Sequence, residues 1–106
     1  MTTLINQISY DELRRWQDEN RQFQLVDVRE QSEHEAFNIG GDLLPLSSLF
    51  SETEALQTDG PIVFYCKRGI RSQIAIQRLM DRFPNGDFYN LQNGILHLKQ
   101  NDKTAV

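Results

Sequence analysis

The apolar residues of the chain are arranged in two kinds of segment. Short apolar runs are typical of β-strands, and they predict strands at residues 7–9, 23–28, 62–65 and 88–91. Longer segments carry apolar residues at helical spacing, and they predict helices over 10–20 and 72–83. The run at 62–65 contains no acidic, basic or amide side chain. Such a run is expected of a strand that is covered on both faces of a parallel sheet.

Shorter segments connect these elements. A helical turn is expected around 36–37, after a cluster of charged residues. Pro45 restricts the apolar segment 43–46 to a strand end or an edge strand, because proline has no backbone N–H for the sheet. Another short helix is predicted over 47–56, and a last amphipathic turn over 95–98.

The order of the elements predicts an α/β fold. Strands and helices alternate along the whole length, and this pattern indicates a parallel or mostly parallel sheet with helices on its faces. The length of 106 residues favours one domain over 1–106, with its core at about 7–98. The polar residues 99–106 are expected to form a flexible tail.

Composition narrows the classes of function. Hydrophobic residues make up 39% and charged residues 25% of the chain, as in ordinary globular domains. The net charge of -4 argues against a nucleic-acid partner. No apolar run is long enough to span a membrane, and no signal peptide is visible at the N-terminus. With a single cysteine and hence no internal disulfide, these features predict a cytoplasmic protein.

The stretch after strand 62–65 carries the candidate chemistry. Cys66 ends the strand, Gly69 permits a tight loop, and Ser72 opens the predicted helix. Three basic residues follow the cysteine within five positions: Lys67, Arg68 and Arg71. A lone cysteine at a strand end is most often a packing residue. The positive charges and the helix N-terminus favour the thiolate over the thiol, and they indicate a reactive Cys66.

Four segments in the same order resemble the rhodanese-like family, over about 8–98. They are residues 25–30, 33–46, 63–72 and 91–96. The resemblance implies a three-layer domain with about five strands in a mostly parallel sheet. Gly41, Asn93 and Leu98 depart from the family pattern, and none of them lies in the Cys66 loop.

The resemblance implies sulfur transfer without a cofactor. Cys66 would attack the outer sulfur of a donor such as thiosulfate and carry it as a persulfide. Cyanide in an assay, or a thiol in the cell, would then remove that sulfur. The implied substrate-binding residues form the loop after the cysteine: Lys67, Arg68, Gly69, Ile70 and Arg71. Their backbone would cradle the sulfur, and the basic side chains would attract an anionic donor.

Related folds and roles remain as alternatives. Phosphatases of similar type use a Cys-x5-Arg loop, whereas Cys66 and Arg71 enclose only four residues, which suits a sulfur atom better than a phosphate. Without a second cysteine, the acceptor must be external. The chain is alternatively a sulfur-relay module for a protein sulfur carrier, or a non-catalytic binding or regulatory domain. A monomer or weak dimer is expected.

The remaining polar residues favour structural interpretations. Asp27, Arg29 and Glu33 are expected to form an ion-pair network, with a hydrogen bond from Asp27 toward the active loop as the alternative. His34 lies in a charged run and is predicted to be a surface residue, with a general-base role as the alternative. His97 is predicted to be at the surface or in packing contacts. The spacing of the histidines and Cys66 does not match a metal site.

Overall fold

The computed structural model describes residues 4–98. At its centre lies a sheet of five parallel strands in the order β1-β5-β4-β2-β3. The strands are β1 (Asn6–Ile8), β2 (Gln24–Asp27), β3 (Asp42–Leu43), β4 (Pro61–Tyr65) and β5 (Asp87–Leu91). The α-helices are α1 (Tyr10–Asp18), α2 (Gln31–Ala36) and α3 (Ile70–Arg82), and residues 96–98 are also helical. The predicted α/β class is confirmed, and the tail predicted at 99–106 lies outside the described residues.

Strand β4 lies in the middle of the sheet, and both of its faces are covered. Ile62 and Phe64 point into one core, and Val63 and Tyr65 point into the other. All four side chains are fully buried. The uninterrupted apolar run thus predicted the strand correctly, since each face of a parallel sheet is packed against helices or loops.

Two layers of side chains cover the sheet. On one face, α3 contributes Ala75, Ile76 and Leu79. On the other face, α1 contributes Leu13 and Trp16. Each fully buried leucine or isoleucine is worth about 1.5–3 kcal/mol of hydrophobic stabilisation, so these helical stripes hold the helices to the sheet.

Two connecting segments differ from the sequence prediction. Helix α2 is longer than the turn expected at 36–37, because a reciprocal capping box between Glu30 and Glu33 satisfies its first N–H groups without any buried side chain. The short helix predicted over 47–56 is instead two 3₁₀ turns, Leu49–Ser51 and Thr53–Ala55. Serine and threonine in this segment favour such tight turns over an α-helix.

Helix α3 begins at Ile70, two residues before the predicted start. Gly69 precedes it with φ +88°, a left-handed conformation that glycine adopts without strain. The early start brings Arg71 and Ser72 into the first turn of the helix. Within residues 4–98, no helix is long and apolar enough to cross a membrane.

Candidate active site

Cys66 directly follows β4, at the edge of the sheet where the parallel strands end. Its neighbours at this edge are the ends of β2 at Asp27 and of β5 at Leu91. Ligands of open α/β sheets bind beyond this edge. The cysteine is free and only 1% exposed. Its sulfur therefore lies at the base of the loop rather than on the protein surface.

Three polar groups lie within hydrogen-bond distance of the Cys66 sulfur. The backbone N–H of Gly69 donates to Sγ over 3.1 Å, and the N–H of Ser72 donates over 3.4 Å. The Ser72 hydroxyl oxygen lies 3.3 Å from the same sulfur. Backbone N–H groups that converge on a sulfur stabilise negative charge on it. Gly69 and Ser72 are thus the cradle donors that touch Sγ, and Ser72 lies one residue beyond the predicted cradle.

The other face of the loop is held by the turn after β5. Ile95 donates its N–H to the carbonyl oxygens of Cys66 (3.2 Å) and Lys67 (3.1 Å), and Leu96 donates to the Lys67 oxygen over 3.0 Å. Gly94 has φ +63°, and its backbone packs directly on that of Lys67. A side chain at position 94 would overlap the Lys67 carbonyl and lie 2.6 Å from the Arg68 nitrogen. The Gly94 turn therefore fixes the position of the loop backbone.

The basic residues of the loop have different environments. Lys67 and Arg68 are exposed. Arg71 instead forms a bidentate ion pair with Glu33, with N–O distances of 2.7 and 2.9 Å. The hydrogen bonds from Arg71 lower the pKa of Glu33 to about 2. The positive charge of Arg71 is therefore offset by Glu33, whereas those of Lys67 and Arg68 face solvent.

Asp27 organises a buried polar cluster beside the loop. Its carboxylate accepts three hydrogen bonds from Arg29, one from the backbone and two from the guanidinium. Asp27 Oδ2 also lies 2.8 Å from Nδ1 of His34. Burial raises the pKa of Asp27, but the hydrogen bonds from Arg29 and His34 outweigh it and hold the pKa below its usual range.

Two expectations about this cluster need correction. The predicted pair of Asp27 and Arg29 is present, but Glu33 pairs with Arg71 rather than joining that network. The prediction of a surface His34 is wrong, because its side chain is 22% exposed and hydrogen-bonded to Asp27. His34 lies on helix α2, which brings it to Asp27 at the end of β2. The prediction missed this contact because it placed only a helical turn at 36–37.

Sequence reasoning missed Asn90, which is 1% exposed in β5. Its side-chain oxygen accepts a short hydrogen bond from the Ser72 hydroxyl, and its amide donates to Gln7 over 2.8 Å. An asparagine inside the apolar segment 88–91 is the signal that identifies it, because buried amides require partners.

A cavity of about 200 Å³ lies between α2 and the Cys66 loop. Most of its lining is apolar, with charged groups at Arg29, Glu33 and Lys67; the other lining residues are Ala36, Phe37, Ile95 and Leu96. His97 is exposed on the following turn. Among residues 4–98, no three side chains of histidine, cysteine, aspartate or glutamate are grouped as metal ligands.

Comparison with known families identifies the class of this domain. A family model described as "Rhodanese-like domain" matches residues 9–101. The match covers most of the chain, and the chain belongs to the rhodanese-like domain family. The crystal structure of a rhodanese-like domain protein from Staphylococcus aureus has the same fold, with a TM-score of 0.76 and 23% identity. That similarity covers 86% of this chain and 88% of the Staphylococcus protein.

Two curated relatives are more similar in sequence. The chain is 40% identical over 77 residues to "Uncharacterized protein YqhL" of Bacillus subtilis, covering 70% of this chain and 59% of that protein. It is 36% identical over 88 residues to "Probable adenylyltransferase/sulfurtransferase MoeZ" of Mycobacterium tuberculosis, covering 80% of this chain and 22% of that protein. The chain thus spans less than two thirds of either relative. It is homologous to one segment of a protein named as a sulfurtransferase.

Proposed function

We propose that this domain is a sulfurtransferase that carries a sulfane sulfur as a persulfide on Cys66. The observation that carries the proposal is the convergence of the Gly69 and Ser72 N–H groups on the Cys66 sulfur, at the edge where β4 ends. The relation to MoeZ and the membership in the rhodanese-like family support the same chemistry.

The first half-reaction transfers sulfur to the protein. The Cys66 thiolate attacks the outer sulfur of thiosulfate or of another persulfide-type donor. One S–S bond forms between Cys66 and that sulfur, and the bond between the two donor sulfurs breaks. Sulfite leaves with the electron pair of the broken bond when thiosulfate is the donor. The terminal sulfur of the Cys66 persulfide then carries the negative charge, which nearby N–H groups stabilise.

The second half-reaction returns the enzyme to its starting state. Cyanide, or a thiolate in the cell, attacks the terminal sulfur. The new bond forms to that sulfur, and the persulfide bond breaks to regenerate the Cys66 thiolate. Thiocyanate or an external persulfide is released. Donor and acceptor use the same cysteine in turn, so the kinetics are expected to be ping-pong.

The charges at the loop suggest how an anionic donor is attracted. Lys67 and Arg68 are exposed, and neither forms an ion pair within residues 4–98. Arg71 is neutralised by Glu33, so its charge attracts a donor less than theirs do. We therefore assign long-range donor attraction to Lys67 and Arg68, and donor contact at the helix start to the backbone of Gly69, Ile70 and Arg71.

Steady-state kinetics test the proposal. With thiosulfate and cyanide as substrates, parallel double-reciprocal plots are expected for thiocyanate formation, and Cys66→Ser should abolish turnover. A K67Q/R68Q variant should raise the KM for thiosulfate several-fold at low salt, and the difference should shrink as salt screens the charges. R14Q/R15Q is a matched control, since both arginines are exposed on α1. Turnover that persists in Cys66→Ser would refute the assignment.

A second candidate is a relay that passes sulfur to a protein acceptor. The mostly apolar lining of the cavity between α2 and the loop favours it, because Phe37, Ile95 and Leu96 offer apolar contacts that a protein acceptor can use and cyanide cannot. The segment's relation to a longer protein named as an adenylyltransferase and sulfurtransferase is in line with this role.

The relay is tested by loading Cys66 with ³⁵S from outer-labelled thiosulfate. A protein fraction of cell extract should discharge the label faster than an equal thiol concentration of glutathione, and Phe37→Ala should slow only the protein acceptor. Equal rates for both acceptors would favour the small-molecule reaction. Absence of loading with every sulfane donor would favour a non-catalytic domain.

A further inference from the structure

A chain of hydrogen bonds leads from the Cys66 sulfur across the sheet. The Ser72 hydroxyl donates its one proton to Oδ1 of Asn90. Its oxygen faces Cys66 Sγ at 3.3 Å. A hydroxyl has a single proton, so an oxygen that donates to Asn90 meets the sulfur as an acceptor. The resting arrangement thus suits a thiol that donates its S–H to Ser72.

The rest of the chain fixes the orientation of Asn90. Asn90 Nδ2 donates to Gln7 Oε1 over 2.8 Å. Gln7 Nε2 makes a longer contact of 3.5 Å with Gln73 Oε1, and Gln73 Nε2 donates to the carbonyl oxygen of Gly69 over 2.8 Å. Reversing Asn90 would reverse both glutamines and place the Gln73 oxygen against the Gly69 oxygen. Two acceptors cannot share a hydrogen bond, so the loop backbone fixes the direction of Gln73 and, through the longer Gln7 contact, favours this direction for Asn90.

We propose that Asn90 is a positioning residue that, through Ser72, holds the resting Cys66 as a protonated thiol and thereby sets the pH at which the nucleophile forms. Formation of the thiolate removes the proton that Ser72 accepts. The Ser72 hydroxyl must then turn to donate to the sulfur and leave the buried Asn90 oxygen without its partner. The Gly69 and Ser72 N–H groups favour the thiolate, and Asn90 opposes them.

The charged groups of the loop and of the elements beside it form the electrostatic background of this site. Lys67 and Arg68 lie on the loop, Arg71 lies on α3 with Glu33 of α2 paired to it, and Asp27 on β2 is paired with Arg29 and His34. The positive groups favour the thiolate, and the two carboxylates oppose it. None of these groups bonds to Asn90 or Gln7 within residues 4–98. Substitutions at positions 90 and 7 therefore leave this electrostatic background in place.

The pH dependence of iodoacetamide alkylation of Cys66 tests the proposal directly. Asn90→Leu retains a similar volume and frees the Ser72 hydroxyl to donate to the thiolate. The midpoint of the alkylation profile should fall by about one pH unit, as expected for one hydrogen bond gained by a charged group. In the Ser72→Ala background, Asn90→Leu should cause no further shift, because the hydroxyl through which Asn90 acts is gone.

A second variant avoids the buried position. Gln7 is exposed, and Gln7→Met removes the acceptor that orients Asn90, so the Asn90 amide can turn and donate to Ser72. Its midpoint should move in the same direction as that of Asn90→Leu, whereas Gln17→Met on α1 should leave the midpoint unchanged. An unchanged midpoint in Gln7→Met, or an Asn90→Leu shift that persists without the Ser72 hydroxyl, would overturn the proposal.

This inference rests on the proposed function only in taking Cys66 as the reacting group. Alkylation needs no sulfur donor, so the pH profile can be measured even if sulfur transfer is absent. A failed sulfur-transfer assay with the expected midpoint shifts would refute the proposed function and support the role of Asn90. Normal sulfur-transfer turnover with unshifted alkylation midpoints would support the proposed function and refute the role of Asn90.

Discussion

The contact between Gly94 and the active-site loop makes a quantitative prediction. Gly94→Ala places a methyl group against the Lys67 carbonyl and within 2.6 Å of the Arg68 nitrogen. Heavy atoms in contact prefer a separation of about 3.5 Å, so the loop backbone must move by about 1 Å. The loop cannot retreat freely, because Ile95 and Leu96 hold its carbonyl oxygens from the same side.

The displacement of the loop should lower both the stability and the activity of Gly94→Ala. Alanine at φ +63° is strained by about 1–2 kcal/mol relative to glycine. The overlap adds about 1–3 kcal/mol, as for other overpacked sites. A shift of about 1 Å in the loop that holds Cys66 should lower kcat/KM for thiosulfate by about 100-fold.

Gly40→Ala is the matched control for Gly94→Ala. Gly40 has φ +98°, but a methyl group there meets nothing within 4 Å. Gly40→Ala should lose stability because of the positive φ, but its activity should stay within about twofold of the wild type. Urea unfolding followed by the fluorescence of Trp16 measures stability, and thiocyanate formation measures activity. Equal activity in the two variants would refute the conclusion that Gly94 positions the loop.

Two further substitutions test the charge pairs around the site. Glu33→Gln should lower stability at pH 7 by about 1 kcal/mol, a value reduced by solvent screening of the partly exposed pair. The folded-state pKa of Glu33 is about 2, below its ordinary 4.5. The difference in unfolding free energy between wild type and variant should therefore be complete above pH 4.5 and vanish as the pH falls towards 2. A difference that does not change with pH would contradict the Glu33–Arg71 pairing. Arg29→Met removes the guanidinium from the buried Asp27 carboxylate and leaves it only His34 as a side-chain partner within residues 4–98. The variant should therefore cost about 3–5 kcal/mol in urea unfolding. A loss similar to that of Arg14→Met would contradict the buried-pair interpretation.

The sequence was most informative where a local pattern has one physical solution. The apolar run at 62–65 is short and consists of β-branched and aromatic residues, which favours a strand buried on both faces over a helix, and it predicted β4. Basic residues and a glycine directly after Cys66 indicated a loop around the sulfur, and Gly69 adopts the positive φ that such a loop needs. Helix α3 was visible because its apolar residues repeat at helical spacing.

The missed features depend on groups far apart in the chain. Arg71 and Glu33 are 38 residues apart, and their pairing follows from the position of α2, a six-residue helix without a buried side chain. Ser72 and Asn90 meet because α3 packs on β5. Hydrophobic periodicity describes which face of an element is buried, but it carries little information on polar partners across elements.

The persulfide on Cys66 is the central claim, and intact-mass spectrometry tests it most directly. After incubation with thiosulfate and removal of excess donor, the wild-type protein should gain about 32 Da, the mass of one sulfur atom in a covalent intermediate. Cyanide should remove the added mass, and Cys66→Ser should never acquire it. No mass gain in the wild-type protein, or an equal gain in Cys66→Ser, would contradict the account.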